Sequence, residues 1–212
     1  MAILDEHVHQ QVKKEFENLQ DNVKLVVFTQ ELECQYCREN RSMAEEIAAL
    51  SDKVTTEVCN FVTDKEKVNK YKIDKIPAIV VEGAKDYGIR FYGIPAGYEF
   101  TSLIEAIKIV SARDSGLSSE SKESLEKITK PVHIQVFVTP TCPYCPGAVK
   151  LAHKLALEND FITADMIESA EFPHLANKYN VFGVPKTIVN EKNQFEGALP
   201  ESAFVSQVMG VM

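Results

Sequence analysis

The chain has 212 residues, which is long for one compact domain and enough for two of ordinary size. Its apolar fraction of 45% and charged fraction of 25% are those of a globular protein, and its net charge of −8 argues against a nucleic-acid surface. No run of about eighteen apolar residues could span a membrane, and the start MAILDEHVHQQ lacks the basic and apolar regions of a signal peptide, so a cytoplasmic location is expected.

The first half of the chain is predicted to alternate helices and strands. An amphipathic helix comes first, because Leu4, Val8, Val12, Phe16 and Leu19 fall on one helix face. The order that follows is strand, helix, strand, helix, strand, strand, helix. These elements lie in turn at 23–29, around 43–50, at 54–62, in a helix that ends at Tyr71, at 78–81, in a strand that contains Phe91 and from about Thr101.

A serine-rich stretch, SARDSGLSSES at 111–121, separates the two halves. Its composition is the weakest in the chain for packed structure, so we place the boundary there, with one unit at 1–115 and the second at 116–212. A helix predicted at 119–129 favours two units packed together. The second half repeats the order of the first, at 132–139, around 148–155, at 161–167, in a helix that ends at Tyr179, at 186–189, in a strand that contains Phe195 and from about Glu201.

The two halves are copies of one unit. Cys34 and Cys37 recur at an offset of 108 residues as Cys142 and Cys145. The segments NKYKIDKIPAIVV and NKYNVFGVPKTIV align at the same offset, with no gap between Cys34 and Val81. A shorter loop then reduces the offset to 104 residues, at which Gly93 recurs as Gly197. Chance does not account for this many matches, so the sequence predicts a tandem repeat in which each copy carries its own C-x-x-C pair.

Each C-x-x-C pair follows a predicted strand and opens a predicted helix. The helix dipole and the unpaired N–H groups of the first turn stabilise the thiolate of the first cysteine. The two-residue spacer brings the second sulfur back within bonding reach, where it can resolve a mixed disulfide. A strand, C-x-x-C and helix in this order therefore favour a redox dithiol, and the arrangement occurs twice.

Metal binding is the main alternative for these four cysteines. Two C-x-x-C pairs indicate zinc strongly when about 15–20 residues separate them. Here the separation is residues 38–141, and each pair lies in its own copy, so no metal site is predicted. The fifth cysteine, Cys59, is expected to be a small buried hydrophobic residue. The five histidines show no spacing that suggests a function.

A proline opens the third strand of each copy. Ile76–Pro77 and Val184–Pro185 stand at the same distance from their C-x-x-C pairs. Proline is tolerated at a strand start, and the X-Pro bond is the one kind that adopts the cis form at modest cost. An ordinary strand-start proline explains either one alone, but their recurrence favours a shared role.

These motifs resemble a known family. CPYC after a strand, with GVP before another strand, is similar to the active site of glutaredoxins and other thioredoxin-fold oxidoreductases. Two such units, CQYC and then CPYC, resemble the glutaredoxin-like protein disulfide oxidoreductases of thermophilic archaea and bacteria, across essentially the whole chain. The resemblance implies an α/β fold of two tandem thioredoxin-fold units (βαβαββα), each a mixed sheet flanked by helices.

The resemblance also implies roles for the cysteines. Cys34 and Cys142 would be the nucleophiles, and Cys37 and Cys145 would resolve the mixed disulfides. The neighbouring sulfurs would then exchange with disulfides of protein substrates, to form, reduce or isomerise them. No cofactor is implied beyond the redox-active disulfides.

The same resemblance implies a substrate-binding segment at each proline. Pro77 and Pro185 would be cis, and the backbone of Ile76 and Val184 would hold an extended substrate beside the sulfurs. Only Gly197 stands where glutaredoxins usually carry a Gly-Gly pair that holds glutathione, so protein substrates are expected. Because the chain has no glycine-rich phosphate-binding motif, electrons from NADPH would arrive through a separate flavoprotein like thioredoxin reductase.

Two other functions stay open from the sequence. Tandem thioredoxin folds also deliver electrons in peroxide-reducing systems, although usually only the second C-x-x-C pair survives there and both are intact here. A chaperone or zinc-binding scaffold without redox activity is the alternative from another class.

The two sites are expected to differ. Glu31 and Glu33 precede the first pair, and nearby carboxylates raise the pKa of a thiol, whereas Arg38 opposes them. The second pair has no acid close by in sequence. We therefore expect Cys142 to have the lower thiol pKa, which makes its pair the stronger oxidant.

Overall fold

The structure is a computed structural model that describes residues 4–211. Its elements follow the predicted order. The strands are β1 (Val23–Thr29), β2 (Val54–Asn60), β3 (Ala78–Glu82), β4 (Asp86–Tyr92), β5 (Val132–Val138), β6 (Ile162–Glu168), β7 (Lys186–Val189) and β8 (Asn193–Glu196). The helices are α1 (Glu6–Phe16), α2 (Cys37–Ala48), α3 (Lys65–Tyr71), α4 (Phe100–Ala112), α5 (Ser119–Leu125), α6 (Cys145–Glu158), α7 (Pro173–Lys178) and α8 (Glu201–Met209).

The eight strands form one mixed sheet in the order β2-β1-β3-β4-β6-β5-β7-β8. We call β1 to α4 the first repeat and β5 to α8 the second repeat, and each contributes four neighbouring strands. The predicted α/β fold of two thioredoxin-like units is confirmed. The two four-stranded halves are continuous, because β4 pairs in parallel with β6 through Ile89↔Ala164 to Tyr92↔Ile167.

A glycine permits this junction. Gly88 has a φ of +80°, and a Cβ there would lie 2.5 Å from the carbonyl oxygen of Ile162. Only glycine adopts this conformation without strain and lets the two backbones come so close. The position 104 residues later, which precedes β8, is Lys192, so the outer edge of the second repeat lacks this glycine.

The two faces of the sheet carry separate cores. Side chains alternate between the faces, so Leu25 and Val27 lie in one cluster while Val26 and Phe28 lie in the other. Helices α1, α2, α4, α5, α6 and α8 supply residues to the first cluster. The short helices α3 and α7 pack on the second face, whose cluster includes Tyr71.

The serine-rich stretch between the repeats is better packed than its composition suggests. Ser111 belongs to the last turn of α4 and is fully buried. Its hydroxyl accepts the backbone N–H groups of Gln20 and Asp21 at 2.9 and 3.0 Å. Ser115 is also buried, and the predicted helix at 119–129 ends earlier, at Leu125. Buried hydroxyls with partners add to apolar contacts of this linker, such as that of Leu117 with the core.

Both C-x-x-C pairs lie at the same end of the strands. β1 and β5 run in the same direction through the sheet, and the cysteines follow the carboxyl end of each. The two strands stand four positions apart in the sheet, or about 19 Å at the usual strand spacing. In the described part of the chain, no helix is long and apolar enough to cross a membrane.

Candidate active sites

The first site lies between β1 and α2. Cys34 and Cys37 form a disulfide with a Cα–Cα distance of 5.5 Å, and Cys37 is the first residue of α2. Cys37 is buried, whereas Cys34 is half-buried. The cysteine that sequence analysis takes as the nucleophile is thus the more accessible of the two.

The second site has the same frame between β5 and α6. Cys142 and Cys145 form a disulfide, also with a Cα–Cα distance of 5.5 Å. The backbone N–H of Cys145 donates to the sulfur of Cys142 at 3.1 Å. This is the kind of helix N-terminal contact that stabilises a thiolate once the disulfide is reduced. Both cysteines are buried, with Cys142 8% exposed.

Both X-Pro bonds are cis, as expected from the resemblance. They are Ile76–Pro77 and Val184–Pro185, and each precedes its strand. The carbonyl oxygen of Val184 lies 3.7 Å from the sulfur of Cys142. The structure therefore brings together Cys142 and the segment that the sequence pairs with it, and leaves a backbone carbonyl beside the sulfur.

Exposed apolar side chains lie near both sites but at different positions, and Leu32, two residues before Cys34, is 79% exposed. Near the second site, Phe182 is 92% exposed and Tyr144 is 71% exposed. The position equivalent to Phe182 in the first repeat is Asp74, which forms an ion pair with Lys75 at 2.5 Å. The second site therefore carries an exposed aromatic side chain at the position where the first site carries a charged one. The sequence analysis did not single out Phe182, although it lies two residues before Val184.

A segment of the first repeat builds part of the second site. Gly97–Glu99 forms a short 3-10 turn, and the backbone N–H of Tyr98 donates to the carbonyl oxygen of Pro140 at 3.0 Å. Pro140 lies in the loop that precedes Cys142. No sequence motif indicates this contact, because it joins positions far apart in the chain.

Two carboxyl groups with raised pKa values, the buried Glu99 and the half-buried Glu171, contact the segment 94–102 of the first repeat. Burial raises the pKa of Glu99 to about 7, with the hydroxyl of Ser102 and the charge of Lys150 acting the other way. Burial also raises the pKa of Glu171 to about 7, although the carboxylate accepts the N–H of Ile94 at 2.7 Å. The strands before the cysteines lack acids, and these carboxyl groups come from other elements.

A buried histidine also connects the repeats. Nε2 of His153 in α6 lies 3.3 Å from the carbonyl oxygen of Arg90 in β4, and the His153 ring packs against Phe91. Burial lowers its pKa to about 4. The imidazole is therefore neutral at pH 7 and is a packing element of the junction between the repeats.

The fifth cysteine is buried within the sheet. Cys59 is 1% exposed in β2 and burial raises its thiol pKa, so it is the buried hydrophobic residue that was expected. Within residues 4–211 no group of three or more His, Cys, Asp or Glu side chains is arranged to hold a metal ion.

A family model matches the chain twice. The thioredoxin-domain model matches residues 21–105 and again residues 132–210. The two matches contain the two C-x-x-C pairs and the two cis prolines, and together they cover most of the chain.

Solved structures with the same tandem architecture are similar over the full length. A protein disulfide oxidoreductase from Aeropyrum pernix K1 aligns with a TM-score of 0.93 and 29% identity, over 99% of this chain and 95% of that one. The NTD_N/C domain of alkylhydroperoxide reductase AhpF from Enterococcus faecalis V583 aligns with a TM-score of 0.90 and 27% identity, over 97% and 99%.

Curated relatives are longer proteins. NADH dehydrogenase of Bacillus subtilis strain 168 is 25% identical over 93% of this chain, and the F subunit of alkyl hydroperoxide reductase in Escherichia coli K12 is 27% identical over 97%. The chain spans little more than a third of their length, 36% and 37%.

Proposed function

This chain belongs to the thioredoxin-domain family, and from that premise we propose that it catalyses thiol–disulfide exchange on protein substrates. The observation that carries the proposal is the placement of the Val184 carbonyl oxygen 3.7 Å from the sulfur of Cys142. A free backbone acceptor next to a reactive sulfur suits an extended polypeptide, which binds by adding its own backbone hydrogen bonds.

The proposed reduction begins with the thiolate of Cys34 or Cys142. It attacks one sulfur of a substrate disulfide, forms a mixed disulfide and releases the other substrate sulfur as a thiolate. Cys37 or Cys145 then attacks the mixed disulfide, which releases the second substrate thiolate and leaves the protein disulfide. Two electrons pass to the substrate, whose two thiolates take up protons from water. The reverse sequence forms a substrate disulfide, and incomplete cycles isomerise one.

The substrate-binding residues in this proposal are those before and at the cis prolines. Ile76 and Pro77 would hold the substrate at the first site, and Val184 and Pro185 at the second. Each proline precedes the first residue of a strand, so the backbone before it is not used by the sheet ladder.

We further infer that the electrons come from a flavoprotein like thioredoxin reductase that oxidises a nicotinamide nucleotide. The match to part of proteins named NADH dehydrogenase supports such a partner. Four of the five cysteines stand in C-x-x-C pairs, which in a reducing compartment is typical of catalytic cysteines, so we place the reaction in the cytoplasm.

The test is a redox titration. The purified protein is equilibrated in graded glutathione buffers, and free thiols are counted by alkylation and mass, with and without a chelator, for the native chain and for Cys34→Ser and Cys142→Ser. We expect two separable transitions of two thiols each, and one transition in each variant. Thiols that titrate independently, or that resist alkylation until a chelator is added, would overturn the proposal in favour of metal binding.

A second candidate function is supported by the relatives that belong to alkyl hydroperoxide reductase. In that case the chain would pass electrons to a peroxide-reducing enzyme. The two functions are separated by supplying reduced chain either to insulin or to a peroxiredoxin with cumene hydroperoxide. Faster thiol consumption with insulin favours the first function, and faster consumption with the peroxiredoxin favours the second.

A further inference from the structure

A cavity of about 430 Å³ opens beside Cys34. Its walls are the end of β1, the first turns of α2 and the outer strand β2. The charged and reactive residues that line it are Glu31, Cys34, Arg38, Arg41 and Asp64. The volume lies in the usual range for small-molecule sites. The cavity is on the β2 side of Cys34, where Val58 and Asn60 form the wall.

The cavity exists at the first site because β2 is the outer strand of the sheet. Val58, on its wall, is 38% exposed. The position 108 residues later is Met166, which is fully buried because β6 is paired with β4. The 3-10 turn Gly97–Glu99 also packs beside α6, so the first repeat covers this part of the second site.

Two opposite charges in this cavity have no hydrogen-bonding or ion-pair partner within the described part of the chain. Arg41 is paired with Glu45 at 2.8 Å, and Asp64 accepts the backbone N–H of Asn60 at 2.6 Å. The two remaining charged side chains of the wall are Arg38 and Glu31. Across residues 4–211 neither makes a side-chain hydrogen bond or an ion pair.

We propose that this cavity binds small disulfides that carry both a carboxylate and an ammonium group, that is, amino-acid or short-peptide disulfides. Arg38 binds the carboxylate and Glu31 binds the ammonium group, since each side chain carries the charge opposite to that of the group it binds. The position equivalent to Arg38 in the second repeat is Pro146, so the preference belongs to the first site alone.

The inference rests on the proposed thiol–disulfide exchange. The Cys34 thiolate attacks one sulfur of the small disulfide, and the S–S bond breaks to release one small thiolate. Cys37 then attacks the sulfur of Cys34, releases the second small thiolate and leaves the Cys34–Cys37 disulfide. The protein dithiol loses two electrons, the ligand gains them, and a dithiol reductant such as dithiothreitol restores the protein.

The test compares four probes that differ in charge. Cystine carries both groups, 3,3′-dithiodipropionate carries carboxylates, cystamine carries ammonium groups, and bis(2-hydroxyethyl) disulfide is neutral. Prereduced Cys142→Ser/Cys145→Ser protein reports the first site, and Cys34→Ser/Cys37→Ser protein reports the second, by quenched alkylation in a single turnover. The ratio of the two rates for each probe removes the intrinsic reactivity of that probe.

We expect the rate ratio of the first to the second site to be about tenfold higher for cystine than for the neutral probe, as two exposed charge contacts allow. The probes with one kind of charge should each show a smaller rise in the rate ratio over the neutral probe. Arg38→Gln should remove this rise for 3,3′-dithiodipropionate, and Glu31→Gln should remove it for cystamine. Arg113→Gln, a partly exposed arginine paired with Asp21, is the control that should change neither.

Two results overturn the inference. One is a rate ratio that is the same for all four probes, and the other is a cystine advantage that survives both Arg38→Gln and Glu31→Gln. Because the neutral probe needs no charge contact, its failure to oxidise Cys34 and Cys37 would instead remove the proposed function, and this inference with it.

Discussion

The backbone N–H of Tyr98 donates to the carbonyl oxygen of Pro140 at 3.0 Å, so a segment of the first repeat holds the loop that leads into Cys142. Among residues 4–211, the equivalent loop before Cys34 accepts no backbone hydrogen bond from the other repeat, and the neighbouring strand β2 is the outer strand of the sheet. The two sites share their cysteines, cis prolines and helix frame, and they differ in what surrounds the first cysteine.

Gly97→Ala tests this support. Gly97 has a φ of +59°, and a Cβ there would overlap the carbonyl oxygen of Pro140. We expect the substitution to slow disulfide exchange at Cys142 severalfold and to leave the rate at Cys34 unchanged. The measurement is the single-turnover rate of each site in the serine-substituted backgrounds.

Gly116→Ala is the matched control. Gly116 has a φ of +63°, and the nearest atom to an added Cβ is 3.9 Å away. Both variants carry the left-handed backbone cost of about 1–2 kcal/mol, and only Gly97→Ala adds the contact with Pro140. Equal rates at Cys142 in the two variants would show that the contact does not position the second site.

Glu99→Gln should change how stability depends on pH. The ordinary pKa of 4.5 is raised by burial to about 7, so the folded state favours the neutral acid. The contribution is fully present below about pH 4.5 and is lost as the pH rises through 7. Between about pH 4.5 and pH 7 we expect the free energy of unfolding of the native protein to fall by up to ~3 kcal/mol more than that of Glu99→Gln. The measurement is urea unfolding at several pH values.

His153→Gln should show the opposite sign. Burial lowers the pKa of His153 from its ordinary 6.5 to about 4, so the folded state favours the neutral ring. Its contribution is present above pH 6.5 and is lost as the pH falls toward 4. Over this interval the free energy of unfolding of the native protein should fall by up to ~3 kcal/mol more than that of the variant, measured in the same urea series. An unchanged pH slope below 6.5 would contradict a neutral buried histidine.

The two nucleophiles should titrate differently. Cys142 receives the N–H of Cys145 at 3.1 Å and has no acid nearby in sequence, whereas Glu31 and Glu33 precede Cys34. We expect the thiol pKa of Cys142 to be the lower, measured by thiolate absorbance in Cys145→Ser and Cys37→Ser proteins. Equal titrations would remove the expected difference in oxidising strength.

Phe182→Ser should slow the reaction with protein substrates and not the reaction with small disulfides. Phe182 is 92% exposed and lies two residues before Val184. Its removal should slow the reaction of Cys142 with reduced or oxidised insulin by about threefold to tenfold, as for loss of one exposed apolar contact, and leave bis(2-hydroxyethyl) disulfide unaffected. Phe161→Ser, at the opposite end of β6, is the control, and an equal effect of the two variants would argue against a binding role.

The local features of the fold could be predicted from the sequence because they depend on neighbouring residues. Apolar runs, helix faces and the 108-residue repeat indicated every strand and helix, with ends that differ by a few residues, as at the predicted strand 54–62, which ends at Asn60. The strand before each C-x-x-C pair and the helix after it placed the cysteines correctly. The cis prolines followed from the resemblance.

The tertiary structure decided how the two copies differ. Both carry the same local pattern, so that pattern cannot indicate which strand edge is covered and which is open. Gly88 lets β4 approach β6, whereas Lys192 stands before β8, and this asymmetry leaves β2 at the outer edge. The open cavity at Cys34 and the buried Glu99 beside the second site both depend on contacts between distant residues, which arise only when the two repeats pack together.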